Sequence, residues 1–509
     1  MGAAEAGSDR GSDRASAWGR VPRWLRRTIF WVVAVVLGSR LLSVGLIPTV
    51  TADSLTYLKY SNDLTGNGFV LLGYRQFGYP LFLALVDLLG RGFGIEPLIL
   101  TVAIQRLLLM VGIAYAAWLW RWWSLVLIFV LTTPGLVAYT DFILTEGLAI
   151  PLALIYACAL CHWRVVHRDP DRVIPWRFLG RYGRQPYASF LPIALASVLF
   201  LALVAIRMTL LPLGLPLLYA YYVGARQREA RWRIGVVAIA TLGLVVVMAG
   251  AMSLENRREF SDFFPVSGGA RPEFWGAWQL VFVDHPETQA LPEMQRYYGN
   301  GNSYAYVTRV RARFSTYPEQ REAFGKAIDA MLQAAGLSKG SEQVRSFLFA
   351  MLGGRHDDVG SRVNRILNAN TRNLDAVIQS NSKFDSPGGQ IAFADTYNRG
   401  QMIEPVMLGA LVPRPFPVPI RYVLALFGPF SLATIVGALV FRVRSPGLAV
   451  ASLAGALVSF GLVGYLLLDN LRFVIVTMVF QGTAATGVLG DTTTNAVRWV
   501  RSLMPRSAG

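Results

Sequence analysis

Ten apolar runs divide this chain, near residues 28–48, 98–118, 123–140, 145–163, 188–205, 208–223, 232–252, 418–440, 446–467 and 472–490. Most approach the ~20 residues that a helix needs to cross ~30 Å of hydrocarbon. The pattern predicts an all-α polytopic membrane protein with about ten transmembrane helices. Two of the intervening segments exceed ordinary loop length, and long loops tend to carry function. The first, 49–97, contains an apolar stretch at 80–89 that is too short to span and suits a helix lying in the membrane interface. The second, 253–417, alternates polar and aromatic residues, with helical periodicity near 317–335, 341–352 and 359–379. It predicts a mainly helical insertion domain. The organisation is then a disordered basic tail over 1–27, a membrane core over 28–252, the inserted domain over 253–417, further membrane helices over 418–490, and a second tail over 491–509.

Charge assigns sides to these runs. Arg10, Arg14, Arg20, Arg23, Arg26 and Arg27 precede the first run, Arg164 to Arg184 follow the fourth, and Arg226 to Arg233 follow the sixth. Arg121, Arg442 and Arg444 fall on the same side, as do Arg498, Arg501 and Arg506 in the final tail. Positive charge marks cytoplasmic loops, so both termini are expected inside, with 49–97 and 253–417 outside. The net charge of +17 is accounted for by these loops and by anionic lipid, and nucleic acid is not an expected partner. Hydrophobic residues make up 54% and charged residues 16%, a membrane-protein balance. The basic residues are almost all Arg, whose codons are GC-rich, which points to a high-GC bacterium and its plasma membrane.

The same topology sorts the candidate chemistry. Cys158-Ala-Leu-Cys161-His162 matches the spacing for c-type haem attachment but falls at an inner helix end, so the thiols read as packing residues. There is no His-Glu-x-x-His, P-loop or Gly-x-Ser-x-Gly. Asp53, Asp141, Glu146, Arg207, Asp469 and Arg472 all fall at outer helix ends. Asp53 could serve as a general base for a hydroxyl nucleophile, or as a helix cap. Glu146 suits a helix amino end, where the dipole favours an acid. Arg207 and Arg472 border hydrocarbon and could grip a phosphate bidentately, or snorkel to headgroups. Arg106, inside the second run, invites either a binding role or interhelical pairing. Two outer carboxylates, Asp53 and Glu146, could share Mg2+ or Mn2+, although no full ligand set is visible.

These features in this order resemble the GT-C superfamily of integral-membrane glycosyltransferases, the group that includes protein mannosyltransferase-like, aminoarabinose-transferase-like and actinobacterial arabinosyl- and mannosyltransferases. The resemblance rests on Asp53 soon after the first run, Gly78-Tyr79-Pro80-Leu81, Gln105-Arg106-Leu107-Leu108, Thr145-Glu146 and Asn470-Leu471-Arg472-Phe473. It implies a GT-C-like core and a polyprenyl-phosphate-linked sugar donor, with inversion at the anomeric centre. The acceptor would be a cell-envelope glycan or glycolipid. Asp53 would be the base. Arg207 and Arg472 would hold phosphate, and Glu146 would orient Asp53, the acceptor or a divalent ion. Tyr57, Tyr79, Asp141 and Arg106 would complete the substrate site. The alternatives are a multi-pass transporter or flippase, and a scaffold that presents the inserted domain. A transporter is expected to keep charges near the midplane and often shows repeats, whereas these charges gather at the outer helix ends, with Arg40 and Arg106 the main exceptions.

Overall fold

The computed structural model describes residues 22–42, 52–67, 76–168, 187–226, 231–260, 303–352, 420–440, 446–467 and 474–489, with positions 48, 273, 274, 277, 288, 291 and 354. Across these residues the protein is all-α. In chain order the helices are α1 (Arg23–Ser39), α2 (Ala52–Asn67), α3 (Gly78–Phe93), α4 (Pro97–Trp120), α5 (Ser124–Leu131), α6 (Pro134–Tyr139), α7 (Thr145–Arg168) and α8 (Tyr187–Ile206). A 3-10 segment, Met208–Gly214, precedes α9 (Leu215–Ala225), followed by α10 (Arg231–Phe260), α11 (Ser303–Arg313), α12 (Tyr317–Ala334) and α13 (Lys339–Met351). The chain then forms α14 (Ile420–Val440), α15 (Pro446–Tyr465) and α16 (Val474–Leu489).

Among the described residues, five helical stretches are long and apolar enough to cross a membrane: Pro97–Leu131, Thr145–Val165, Met208–Ala225, Arg231–Arg258 and Gly447–Tyr465. Shorter apolar stretches lie at Phe190–Ile206, Leu426–Val440 and Val474–Leu489. Three of the expected runs fold differently from a single continuous helix. The first ends its α-helix at Ser39 and tightens into a 3-10 turn at Arg40–Leu42. The third is split between α5 and α6 by Pro134, which has no N–H to continue the ladder. At that break the Thr132 hydroxyl donates to the Ile128 carbonyl and the Thr133 hydroxyl to the Val130 carbonyl, both at 2.8 Å. These bonds supply partners where hydrocarbon offers none. The sixth opens in the 3-10 segment, which contains Pro212.

The centre of the bundle is α7, whose span is 94% buried, against 11% for the span in α10. Helix α7 packs most extensively on α8 and α4. Its sequence is apolar all round and rich in alanine, as a helix enclosed by other helices should be. Small residues let its neighbours approach: a Cβ on Gly112 of α4 would fall 2.6 Å from Leu154 Cδ2. The apolar core runs from Phe30 of α1 through α4, α7 and α8 to Phe480 of α16. A second cluster joins Phe274, Tyr306, Val310, Phe324, Ile328 and Leu467. Helices α12 and α13 lie where the periodicity puts them, and 359–379 falls outside the described residues.

Candidate functional site

One end of α7 meets α4 and the Arg207 junction between α8 and the 3-10 segment, with α3 bonded to α4 and α2 packed on α3, and buried polar side chains gather there. The turn from α6 into α7 runs Thr140-Asp141-Phe142-Ile143-Leu144, and all five residues are buried. Backbone carbonyls buried in such a turn need partners. Gln105 of α4 provides them: its Nε2 donates to the Thr140 carbonyl at 2.7 Å and to the Phe142 carbonyl at 3.4 Å. The Tyr79 hydroxyl donates to Gln105 Oε1 at 3.1 Å, and the Tyr57 ring meets Tyr79 edge-on, centroids 5.2 Å apart. A Cβ on Gly147 would collide with the Gln105 amide, so only glycine fits beside this brace.

Two ion pairs flank it. Arg106 Nη2 bonds Asp141 Oδ1, and Arg106 Nη1 donates to the Leu41 carbonyl at 3.2 Å, tying α4 to the turn after α1. Both side chains are almost fully buried. Burial pushes the Asp141 carboxyl up to about 7, with the Arg106 guanidinium drawing it the other way. In the second pair, Arg207 Nη2 lies 3.1 Å from Glu146 Oε1, while the Thr145 hydroxyl donates to Glu146 Oε2 at 3.0 Å. Glu146 is wholly buried and the Arg207 side chain is 14% exposed, so this pair reaches the surface through its arginine.

The backbone explains the setting of Arg207. It is extended, φ −155° and ψ 102°, between the end of α8 and the 3-10 segment. The next amide, Met208 N–H, donates to Gln76 Oε1 at 2.7 Å. Two residues on, Gly78 opens α3 so close to α8 that a Cβ would stand 2.5 Å from the Ala205 carbonyl carbon. The Gln76-Phe77-Gly78 segment therefore clamps the peptide that carries Arg207.

The sequence-derived candidates divide accordingly. Tyr57, Tyr79, Arg106, Asp141, Glu146 and Arg207 come together at this end of the bundle. Asp53 lies in the first turn of α2, which opens at Ala52, two residues too early for Asp53 to be the cap. Its side chain lies outside the described residues, as do Asp469 and Arg472. Arg207 and Thr145 are among the partners of Glu146, and a cation bound at its Oε1 would compete with the guanidinium. Among the described residues no three acidic, His or Cys side chains are grouped as a metal site. Gln76 was not singled out from sequence, and Gln105 entered only as part of the Gln105-Arg106-Leu107-Leu108 motif with no role assigned, because an amide that braces a distant carbonyl leaves no local pattern. The two cysteines are buried and free, in keeping with packing roles. An apolar crevice lined by Ala157, Leu160, Cys161, Ala449, Phe480 and Ala484 lies more than two turns of α7 beyond this cluster.

This arrangement can hold a guanidinium in a fixed plane beside a carboxylate and a hydroxyl. Among known proteins, no family model, curated sequence or solved structure matches the chain.

Proposed function

We propose that the protein is an inverting membrane glycosyltransferase with a GT-C-like core of about ten transmembrane helices. It would move a sugar from a polyprenyl-phosphate donor to a glycan or glycolipid acceptor. The observation that carries this reading is the Glu146–Arg207 pair, in which a buried carboxylate orients an arginine that reaches the surface. A planar guanidinium set in this way suits a phosphate oxygen pair better than a mobile ammonium would. In the reaction, Asp53 takes the proton of the acceptor hydroxyl and the acceptor oxygen forms the new bond to the anomeric carbon. The bond from that carbon to the phosphate oxygen breaks, and polyprenyl phosphate leaves with its charge balanced by Arg207 and Arg472. Phosphate is already a good leaving group, so one base suffices. Glu146 acts through Arg207 in this scheme, and Tyr57, Tyr79, Asp141 and Arg106 shape the site. The positive-inside pattern supports a bacterial plasma-membrane protein with cytoplasmic termini and an extracytoplasmic site.

The experiment is to delete the gene and profile envelope glycans together with lipid-linked sugars. Loss of one glycosidic linkage with accumulation of its polyprenyl-phosphate sugar is the expected outcome. Unchanged linkages with the lipid-linked sugar trapped on the cytoplasmic face would instead identify a flippase.

A further inference from the structure

Helix α13 changes character along its length. Its first seven residues contain Lys339, Glu342 and Arg345, whereas Ser346 to Leu352 has no charge at all. The charged half is anchored by polar contacts: Lys339 Nζ to Glu273 Oε1 at 2.6 Å, and Gln343 Nε2 to the carbonyl of Tyr465, the last residue of α15, at 3.1 Å. The uncharged half packs on the membrane core, with Ala350 fully buried in it and Phe347 and Met351 against it. Two glycines allow the backbones to close. A Cβ on Gly464 of α15 would fall 2.8 Å from the Phe347 backbone nitrogen, and one on Gly428 of α14 would fall 2.6 Å from the Met351 carbonyl oxygen.

These contacts set a depth. Gly464 is one residue from the end of α15, but Gly428 is well inside α14, roughly 10 Å beyond Arg421 at 1.5 Å per residue. As α13 runs from Gln343 to Met351 it therefore descends from the end of one membrane helix to the flank of another. Its faces separate at the helical spacing of four. Glu342, Ser346 and Ala350 are buried against the protein, and Val344, Leu348 and Leu352 are 61%, 51% and 45% exposed. The close approaches at Gly464 and Gly428 bring this helix to stretches of α14 and α15 that have exposed apolar residues of their own, Leu426 and Phe430 on α14 and Leu462 and Tyr465 on α15. An exposed apolar row on a helix packed against membrane helices fits acyl chains, and the charged first half fits the headgroup layer.

We propose that α13 is seated in the bilayer leaflet on the side of residues 253–417, with Val344, Leu348 and Leu352 against lipid. It is thus an extension of the membrane core and not a part of a water-bathed domain. The inference rests on α14 and α15 being membrane spans and is independent of the enzymatic reading. Nitroxide labels at Val344→Cys, Leu348→Cys and Leu352→Cys in the full-length protein, reconstituted in phosphatidylglycerol–phosphatidylethanolamine vesicles, report depth by oxygen against nickel-chelate collisions. The buried native cysteines sit in the packed core, and an unsubstituted control measures their contribution. Glu322→Cys on exposed α12 and Leu426→Cys on α14 bracket the scale. The expected result is a collision ratio that shifts toward oxygen in the order 344, 348, 352, with Leu352 approaching Leu426. Nickel access at Leu348 and Leu352 equal to that at Glu322 overturns the proposal when Leu426 is in lipid. If Leu426 is also in water, the membrane placement of α14 falls together with it.

Discussion

Conservative replacements separate chemistry from folding at Asp53, Glu146 and Arg207. Asp53→Asn keeps size and removes basicity, so transfer from a polyprenyl-phosphate sugar in reconstituted membranes should be abolished with little loss of folded protein. Substantial residual turnover would assign the base elsewhere. Arg207→Lys keeps the charge but loses the planar fork, so transfer should fall while folding holds. Arg207→Ala does more, because it removes the observed cation from the wholly buried Glu146 carboxylate. Breaking a buried ion pair by removing one member costs about 3–5 kcal/mol, which should lower the detergent melting temperature. Adding Glu146→Gln to Arg207→Ala should restore melting and leave transfer low. If the double variant also recovers transfer, Arg207 has no role beyond neutralising Glu146. Sequence alone singled out Arg106, Asp141, Glu146 and Arg207 because charge near hydrocarbon is expensive. It could not pair them, since nothing local in a chain records which distant helix end will meet another.

At the scale of elements, the clamp between α3 and α8 is a device that hydropathy does not reveal. Gly78 and Gln76 precede an apolar stretch and look like ordinary loop chemistry, yet one admits the Ala205 carbonyl and the other accepts the Met208 amide. Gly78→Ala would drive a methyl into the α8 backbone, and overpacking of this kind costs about 1–3 kcal/mol. Gln76→Ala would leave a part-buried N–H without its acceptor, a loss of about 1–3 kcal/mol. Both should lower melting of the purified protein, and both should weaken donor binding more than Ala substitution at exposed Lys59 does. Unchanged melting in Gly78→Ala would mean that the two helices separate easily, and Arg207 would not be held in place by α3. Most helices of the membrane core were legible from the apolar runs, whereas α11 was not. The seating of α13 was not, because a helix with a charged first half reads the same whether its other half faces a small soluble core or lipid.

For the molecule as a whole, hydropathy names the membrane helices without ranking them, since hydrocarbon and protein interior are equally apolar. Composition does not mark α7 as the central one: α10 is longer, has the more apolar span and is as well supplied with alanine, yet lies almost bare at the periphery. Sidedness is an expectation from the arginines, and it decides whether the site cluster and the 253–417 segment can share a face. Three exposed positions test it: Lys59 on α2, two residues from Tyr57, Glu322 on α12, and Trp232 at the start of α10. With single cysteines at each, an impermeant maleimide applied to intact cells should label positions 59 and 322 and spare 232 until the membrane is opened. Because Tyr57 contacts Tyr79, and Tyr79 leads through Gln105 to the Glu146 turn, label at 59 fixes the side of the whole cluster. Label at 322 but not at 59 would put the Glu146–Arg207 pair on the opposite face from 253–417, and an extracytoplasmic sugar transfer at that pair would be untenable.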